Sequence, residues 1–283
     1  MSEPFVFLMC KPEYYGVAYI INPWMTGNVN KTSVERAQGQ WDRLVAHVAA
    51  LARVEFVDPQ PGLPDMPFTA NAGFVFGRTA IPSRFRCVER QGEERYFTEW
   101  FVSHGFAAVH MPANVSFEGA GDALVDRDAP RIWAGWGHRS AQASHDVLRE
   151  RFGVDVISLR LVDDRYYHLD TCFCPLEGGY FMYYPPAFDA DSNRTIERAT
   201  RDEQRIAVTD EDAADFACNA VNIGDAVILN RASAGLSERL ASLGFNVIQT
   251  ELTEFLKAGG AAKCLTLRLN EPGVQSTASQ RTA

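Results

Sequence analysis

The sequence predicts an α/β fold arranged as five units in a single domain. Three observations point there. Amphipathic, helix-like stretches run through short exits into strands. These exits recur near residues 53, 105, 153, 207 and 244, a loose spacing of about fifty. No low-complexity linker divides the 283 residues. Five such units suit a closed ring better than a doubly wound sheet; the competing reading is an ordinary α/β domain whose alternation is periodic by chance.

In chain order, Ala46 to Leu51 runs into the strand Arg53-Val54-Glu55-Phe56-Val57. Trp100 to His104 exits through Gly105-Phe106 into Ala108-Val109-His110-Met111, and His145 to Phe152 through Gly153-Val154 into Val156-Ile157-Ser158-Leu159. Thr195 to Gln204 leads to Ile206-Ala207-Val208, and Leu236 to Leu243 leads through Gly244-Phe245 to Asn246-Val247-Ile248-Gln249. A glycine after a helix supplies the left-handed residue that stops it, and a β-branched run beyond it is a strand signal. Further strand-like runs lie between the exits at Ala72–Phe76, Ala123–Val125, Ile132–Ala134, Gly179–Tyr184 and Asp225–Leu229. Residues 1–270 therefore read as one domain, and 271–283, rich in Pro, Ser, Thr and Gln, as a disordered tail.

Composition narrows the function. Lys and Arg number 27 against 36 Asp and Glu, a formal charge of −9, which argues against nucleic acid and against an anionic membrane surface. No apolar stretch approaches the roughly 20 residues of a membrane span. The start, Met1-Ser2-Glu3-Pro4, lacks the basic region of a signal peptide. Six cysteines, widely spaced except for one C-x-C, fit reduced thiols and a cytoplasmic location.

Three segments can carry chemistry. Cys264 follows Gly259-Gly260-Ala261-Ala262-Lys263, after a short helix (Glu254 to Ala258) and before the alternating Leu265, Leu267 and Leu269. A cysteine at a loop–strand junction can face a cleft, and Lys263 beside it favours the nucleophilic thiolate. The plainer reading is a small buried hydrophobe. His168 lies in Tyr166-Tyr167-His168-Leu169-Asp170-Thr171-Cys172-Phe173-Cys174, whose alternation predicts a strand with His168, Asp170, Cys172 and Cys174 on one face. Same-face positions about 6–7 Å apart suit zinc poorly. An acid/base His168 with Asp170 as its electrostatic partner fits better. His47, His104, His110, His138 and His145 read as surface or helix residues. Phe117-Glu118-Gly119-Ala120-Gly121-Asp122 places two carboxylates on a tight turn. These would repel phosphate, so the glycines are not a phosphate loop. Leu63 to Gly73 is a second polar turn opening into a strand.

Together, F-E-G-A-G-D at Glu118, H-L-D at His168 and the glycine-rich approach to Cys264 resemble the guanidine-modifying superfamily of arginine deiminases, dimethylarginine dimethylaminohydrolases and amidinotransferases. The resemblance covers Cys10 to Leu269. It implies a five-bladed, pseudo-symmetric α/β propeller of the pentein type, and a hydrolase acting on a small guanidino substrate without cofactor or metal. It implies Cys264 as nucleophile forming a thiouronium intermediate, His168 as general acid and base, and Glu118 as its hydrogen-bond partner. Asp170 and Asp122 would face the guanidinium, and Arg90 and Arg139 the substrate carboxylate. Asn71, in Thr69-Ala70-Asn71-Ala72-Gly73, replaces an aspartate of the deiminases and dimethylarginine hydrolases. An amide donates and accepts, so it suits a neutral ureido group as well as a cation. Asn71 and Asn22 resemble the arginine dihydrolase branch, which takes arginine to ornithine, carbon dioxide and two ammonia. Dimethylarginine hydrolysis and citrulline release are the alternatives within the superfamily. A non-catalytic arginine-binding module is the alternative outside it, and a homo-oligomer is left open.

Overall fold

The computed structural model describes residues 4–273. Their strands form five three-stranded sheets of one repeated topology. The second unit shows the pattern. Strands β3 (Gly73–Phe76) and β4 (Thr79–Pro82) form an antiparallel hairpin, and helix α2 (Glu94–Ser103) then crosses to β5 (Ala107–Ala108), parallel to β4. A two-residue turn can join antiparallel strands, whereas a parallel neighbour needs a crossover, which fixes the order strand, strand, helix, strand.

The third unit holds β6 (Ala123–Val125), β7 (Arg131–Trp136), α3 (Ser144–Phe152) and β8 (Asp155–Arg160). The fourth holds β9 (Phe173–Pro175), β10 (Phe181–Tyr183), α4 (Ala190–Ala199) and β11 (Arg205–Ala207). The fifth holds β12 (Val221–Ile223), β13 (Ala226–Leu229), α5 (Ala234–Ser242) and β14 (Asn246–Gln249). The first unit is assembled from both ends of the chain. Strand β1 (Val6–Cys10) pairs in parallel with β2 (Arg53–Val57) across α1 (Val34–Ala49), and its antiparallel partner is β15 (Leu267–Arg268), with Phe7 opposite Arg268 and Leu8 opposite Leu267.

The elements follow from their residues. In α1 the buried Ala37, Trp41, Leu44 and Val48 recur at helical spacing, and the Ser33 hydroxyl caps its start by accepting from Arg36 N. Asp189 and Ser233 cap α4 and α5 in the same way. Strands β1, β3 and β13 are buried throughout, so they read as unbroken apolar runs.

Three expectations need correction. The strand predicted over Tyr166 to Cys174 is mostly two 3-10 turns, Asp164–Tyr166 and Leu169–Thr171, followed by β9. A turn buried on all sides shows the same alternation of residue types as a strand, so periodicity could not separate them. The strand after Gly105 shrinks to the two residues of β5. His145, read as a surface or helix residue, does lie in helix α3, where it is buried with Nδ1 at 2.6 Å from Ser158 Oγ and Nε2 at 3.3 Å from Gly135 O. Glu271, the first residue of the predicted tail, is tied in: Arg127 Nη2 donates to its carboxylate at 3.0 Å, and Gly77 N donates to its backbone oxygen at 2.9 Å. The tail beyond 273 lies outside the described residues. Among the described residues all six cysteines are free, and no helix is long and apolar enough to cross a membrane.

Candidate active site

Each sheet's first strand is entered through a short buried segment, and these five segments carry the site. The 3-10 turn Thr69–Ala72 precedes β3 and carries Asn71. Gly119–Gly121 precedes β6 and is flanked by Glu118 and Asp122. Leu169–Thr171 precedes β9 with His168 and Asp170, Asn219 precedes β12, and Cys264 precedes β15. All seven residues are buried.

The glycines of F-E-G-A-G-D are there because these segments crowd together. A Cβ on Gly121 would sit 2.3 Å from Asn71 Nδ2. Gly119 has φ +62°, and a Cβ there would meet Gly73 O at 2.6 Å.

His168 Nε2 lies 2.7 Å from Glu118 Oε2, which also accepts from Arg139 Nη1 at 3.1 Å. Glu118 Oε1 accepts from Arg86 N at 3.2 Å. Burial alone would raise the Glu118 carboxyl, but Arg139 and the His168 hydrogen bond outweigh it and hold the group well below the usual range. An ionised Glu118 fixes the imidazole through Nε2. Nδ1 has no protein partner among the described residues and is left for a reacting group.

Cys264 Sγ donates to Asp170 at 3.4 Å (Oδ2) and 3.6 Å (Oδ1), and accepts from Asn219 Nδ2 at 3.1 Å. Burial, then the facing Asp170, push the thiol well above its ordinary range. Lys263, read in the sequence as a promoter of thiolate, does oppose this but is outweighed, so the resting sulfur is a neutral thiol. Asp170 is itself raised, chiefly by burial.

Above the sulfur lies a narrow cavity, about 250 Å³ including its opening to solvent, lined by Cys264, Asn71, Asn22, Arg90, Arg139 and Asp65 among others. Arg90 donates to both Glu93 oxygens (2.9 and 2.8 Å), to Asp65 O (3.2 Å) and to Asn71 Oδ1 (2.8 Å). Asn71 Nδ2 donates to Glu118 O at 3.2 Å, so both ends of the amide are held. Arg139 Nη2 donates to Ile21 O at 2.8 Å, and its guanidinium lies 4.6 Å over the Tyr167 ring. Asn22 Nδ2 donates to Ala258 O at 2.9 Å.

The structure thus brings Cys264, Asn71, Arg90, Arg139 and Asn22 to the cavity wall, and sets Asp170, Glu118 and His168 just behind it, Asp170 through Cys264 and Glu118 with His168 through Arg139. Asp122 stands apart from the cavity. Its oxygens accept from Leu169 N (3.0 Å) and Ser140 Oγ (2.6 Å), so it braces the His168 turn. The implied contact between Asp122 and the guanidinium is not supported by this geometry. Two residues were missed. Asp65 is buried, accepts from Tyr19 Oη at 2.7 Å through Oδ2, and leaves Oδ1 without a partner among the described residues. Asn219 contacts the sulfur. Its signal was the repeat: Cys218-Asn219-Ala220 enters β12 as Ala70-Asn71-Ala72 enters β3.

Repeated α/β units that turn their entry segments onto one buried thiol, imidazole and carboxylate are the hallmark of the guanidine-modifying superfamily. Within it the chain belongs to the dimethylarginine dimethylaminohydrolase family: the model described as N,N dimethylarginine dimethylhydrolase, eukaryotic, matches residues 22–270. The chain is 38% identical to the N(G),N(G)-dimethylarginine dimethylaminohydrolase of Mycobacterium tuberculosis, over 93% of this chain and 85% of that protein. It is 55% identical to the bifunctional arginine dihydrolase/ornithine cyclodeaminase ArgZ of Synechocystis, over 96% of this chain but 39% of ArgZ, so it spans well under half of that relative. The crystal structure of the N-terminal domain of ArgZ, as a C264S mutant bound to substrate, superposes with a TM-score of 0.94 at 55% identity, covering 95% of this chain and 99% of that one. An N71S form of the same domain was solved covalently bound to a reaction intermediate, also with a TM-score of 0.94 at 55% identity, over 95% of this chain and 98% of that one.

Proposed function

We propose that this chain is an arginine dihydrolase that uses Cys264 twice on one carbon, on a closed five-bladed propeller formed by the five sheets and extending at least to Glu271. The observation that carries the reading is a cavity lined by Cys264, Asn71 and Arg90 and backed by the Cys264–Asp170 and His168–Glu118 contacts. The likeness to ArgZ supports it.

The substrate is a zwitterion with a cationic tail. Arg90 uses four of its five donors on the protein and Arg139 two, so N–H groups on both remain for a carboxylate. The free Asp65 Oδ1 takes the α-ammonium. The guanidinium enters between Asp170 and Asn71. Its charge offsets Asp170, which favours loss of the Cys264 proton. The thiolate adds to the guanidinium carbon, His168 passes the proton lost by the thiol to one departing nitrogen, and ammonia leaves a thiouronium on Cys264. Water, deprotonated by His168, adds to this carbon, and collapse expels the thiolate and gives citrulline.

Asn71 decides whether the reaction stops at citrulline. Its amide hydrogen-bonds the neutral ureido group, which a second aspartate would hold poorly. A second addition by Cys264 expels the second ammonia as a thiocarbamate forms. Hydrolysis frees the N-carboxylated ornithine, which loses carbon dioxide. Two waters are consumed in all. Incubation with arginine tests the reading: two ammonia per ornithine is expected, and citrulline as the sole product would overturn it. Dimethylarginine hydrolysis is the second reading, favoured by the family model, and release of dimethylamine is its signature.

A further inference from the structure

Asn219 stands at the point where three of the five entry segments meet. It is fully buried, just before β12. Its Oδ1 accepts from Ala261 N at 2.9 Å and from Cys264 N at 3.1 Å, so one oxygen gathers two backbone donors of the nucleophile segment. Its backbone oxygen accepts from Lys263 N at 3.1 Å. Its Nδ2 donates to Asp170 O at 2.9 Å and to Cys264 Sγ at 3.1 Å. With Oδ1 held by two backbone N–H groups, the amide cannot flip without losing both, and Nδ2 is left aimed at the sulfur.

We infer that Asn219 is a catalytic residue: its side-chain N–H holds the Cys264 thiolate at each of the stages where the sulfur is an anion, and its carbonyl fixes the segment that presents that sulfur. The inference rests on Cys264 being the nucleophile and goes beyond the roles given to the family motifs.

The surroundings of the sulfur create the need for such a donor. Asp170, 3.4 Å away, accepts a hydrogen bond from the thiol at rest but repels the thiolate once the proton has gone. Arg90 and Arg139 line the same cavity, but they donate to Glu93, Asp65, Asn71, Glu118 and Ile21 and neither donates to Sγ. Lys263 is the adjacent cation, but its Nζ is turned to Ala120 O at 3.3 Å. The substrate cation offsets Asp170 during the first addition. It is absent in the second, when the bound group is a neutral ureide. Asn219 is then the one side-chain hydrogen-bond donor to Sγ among the described residues. The proton balance is unchanged: Asn219 keeps its own hydrogens, and the thiol proton leaves as in the first round.

The test reads the sulfur directly. Alkylation of Cys264 by iodoacetamide, with mass spectrometry of the Cys264 peptide across pH without substrate, gives the midpoint of thiolate formation. Asn219→Asp retains the oxygen that accepts from Ala261 and Cys264, loses the N–H, and adds a negative charge. Its midpoint rises by at least about one pH unit, so alkylation at a fixed pH below it slows about tenfold or more, and kcat for arginine falls by at least about tenfold while KM moves less than about twofold. Asn219→Ala, which removes the donor without adding charge, moves the midpoint the same way by a smaller amount. A folded variant of either kind with the wild-type midpoint and kcat overturns the inference. A lowered melting temperature with an unmoved midpoint also overturns it and leaves Asn219 a packing residue. Alkylation needs no turnover, so a wild-type protein inert to arginine would remove the proposed reaction and still leave this inference open to a decision.

Discussion

If the proposed dihydrolase reaction holds, replacing Asn71 by aspartate separates its two hydrolytic rounds. The change swaps one atom: Nδ2, which donates to Glu118 O at 3.2 Å, becomes a carboxylate oxygen facing that carbonyl. The other oxygen keeps its place as acceptor from Arg90 Nη1 at 2.8 Å, and the added charge is partly met by that guanidinium. The first round acts on a cation and tolerates a second carboxylate. The second acts on a neutral ureide that then faces a buried carboxylate without a matching donor. A buried hydrogen-bonding group left unmet costs about 1–3 kcal/mol, a slowing of the second round by about 5- to 160-fold against the first. The assay incubates Asn71→Asp with arginine and tracks citrulline, ornithine and ammonia over time by chromatography. Citrulline should accumulate, with ammonia approaching one per arginine early in the reaction. Wild-type proportions of ornithine and ammonia at undiminished arginine consumption would refute the role of the amide.

Four further outcomes are expected. Glu118→Gln leaves Arg139 without its buried carboxylate and frees the His168 ring; kcat should fall by about 10²- to 10⁴-fold with arginine binding largely kept, measured by steady-state kinetics and by calorimetry. Gly121→Ala puts a methyl where Asn71 Nδ2 sits, so activity should be lost in a protein whose circular dichroism matches wild type. Asp65→Asn should raise KM for arginine by at least about tenfold with a smaller effect on kcat, because the free oxygen meets a cation. Asp122 is raised from 3.8 to about 6, first by burial. Being raised, its contribution to stability is full below about pH 4 and is lost as pH rises through 6. Asp122→Asn should therefore flatten the melting-temperature profile between pH 4 and 6, removing a slope of at most roughly 3 kcal/mol.

Much of this was legible because local chemistry wrote it. The helix stops at Gly105, Gly153 and Gly244, each at positive φ, mark the return to a strand, and the repeat spacing counts five units. The glycines of F-E-G-A-G-D are required by close approach, which makes that motif specific. The hidden part depends on neighbours distant in sequence. The turn at Leu169–Thr171 has the alternation of a strand, and only its tertiary setting turns it. Asp65, between Leu63-Pro64 and Met66-Pro67, has turn composition, and its free oxygen shows only once Tyr19 and Arg90 are placed. Asn219 is an ordinary buried asparagine until the Cys264 segment closes on it.

The sharing of the first sheet between β1 and β15 has a kinetic consequence. Phe7 must find Arg268, almost the whole chain away, and a contact of such separation forms late because loop closure has to precede any gain from pairing. Cys264 precedes β15 by only a few residues. A segment that stops short of Cys264, even one holding Asn71, Glu118, His168, Asp170 and Asn219, has neither its seam nor its sulfur in place. The sulfur therefore takes its place among its partners only as the first sheet closes.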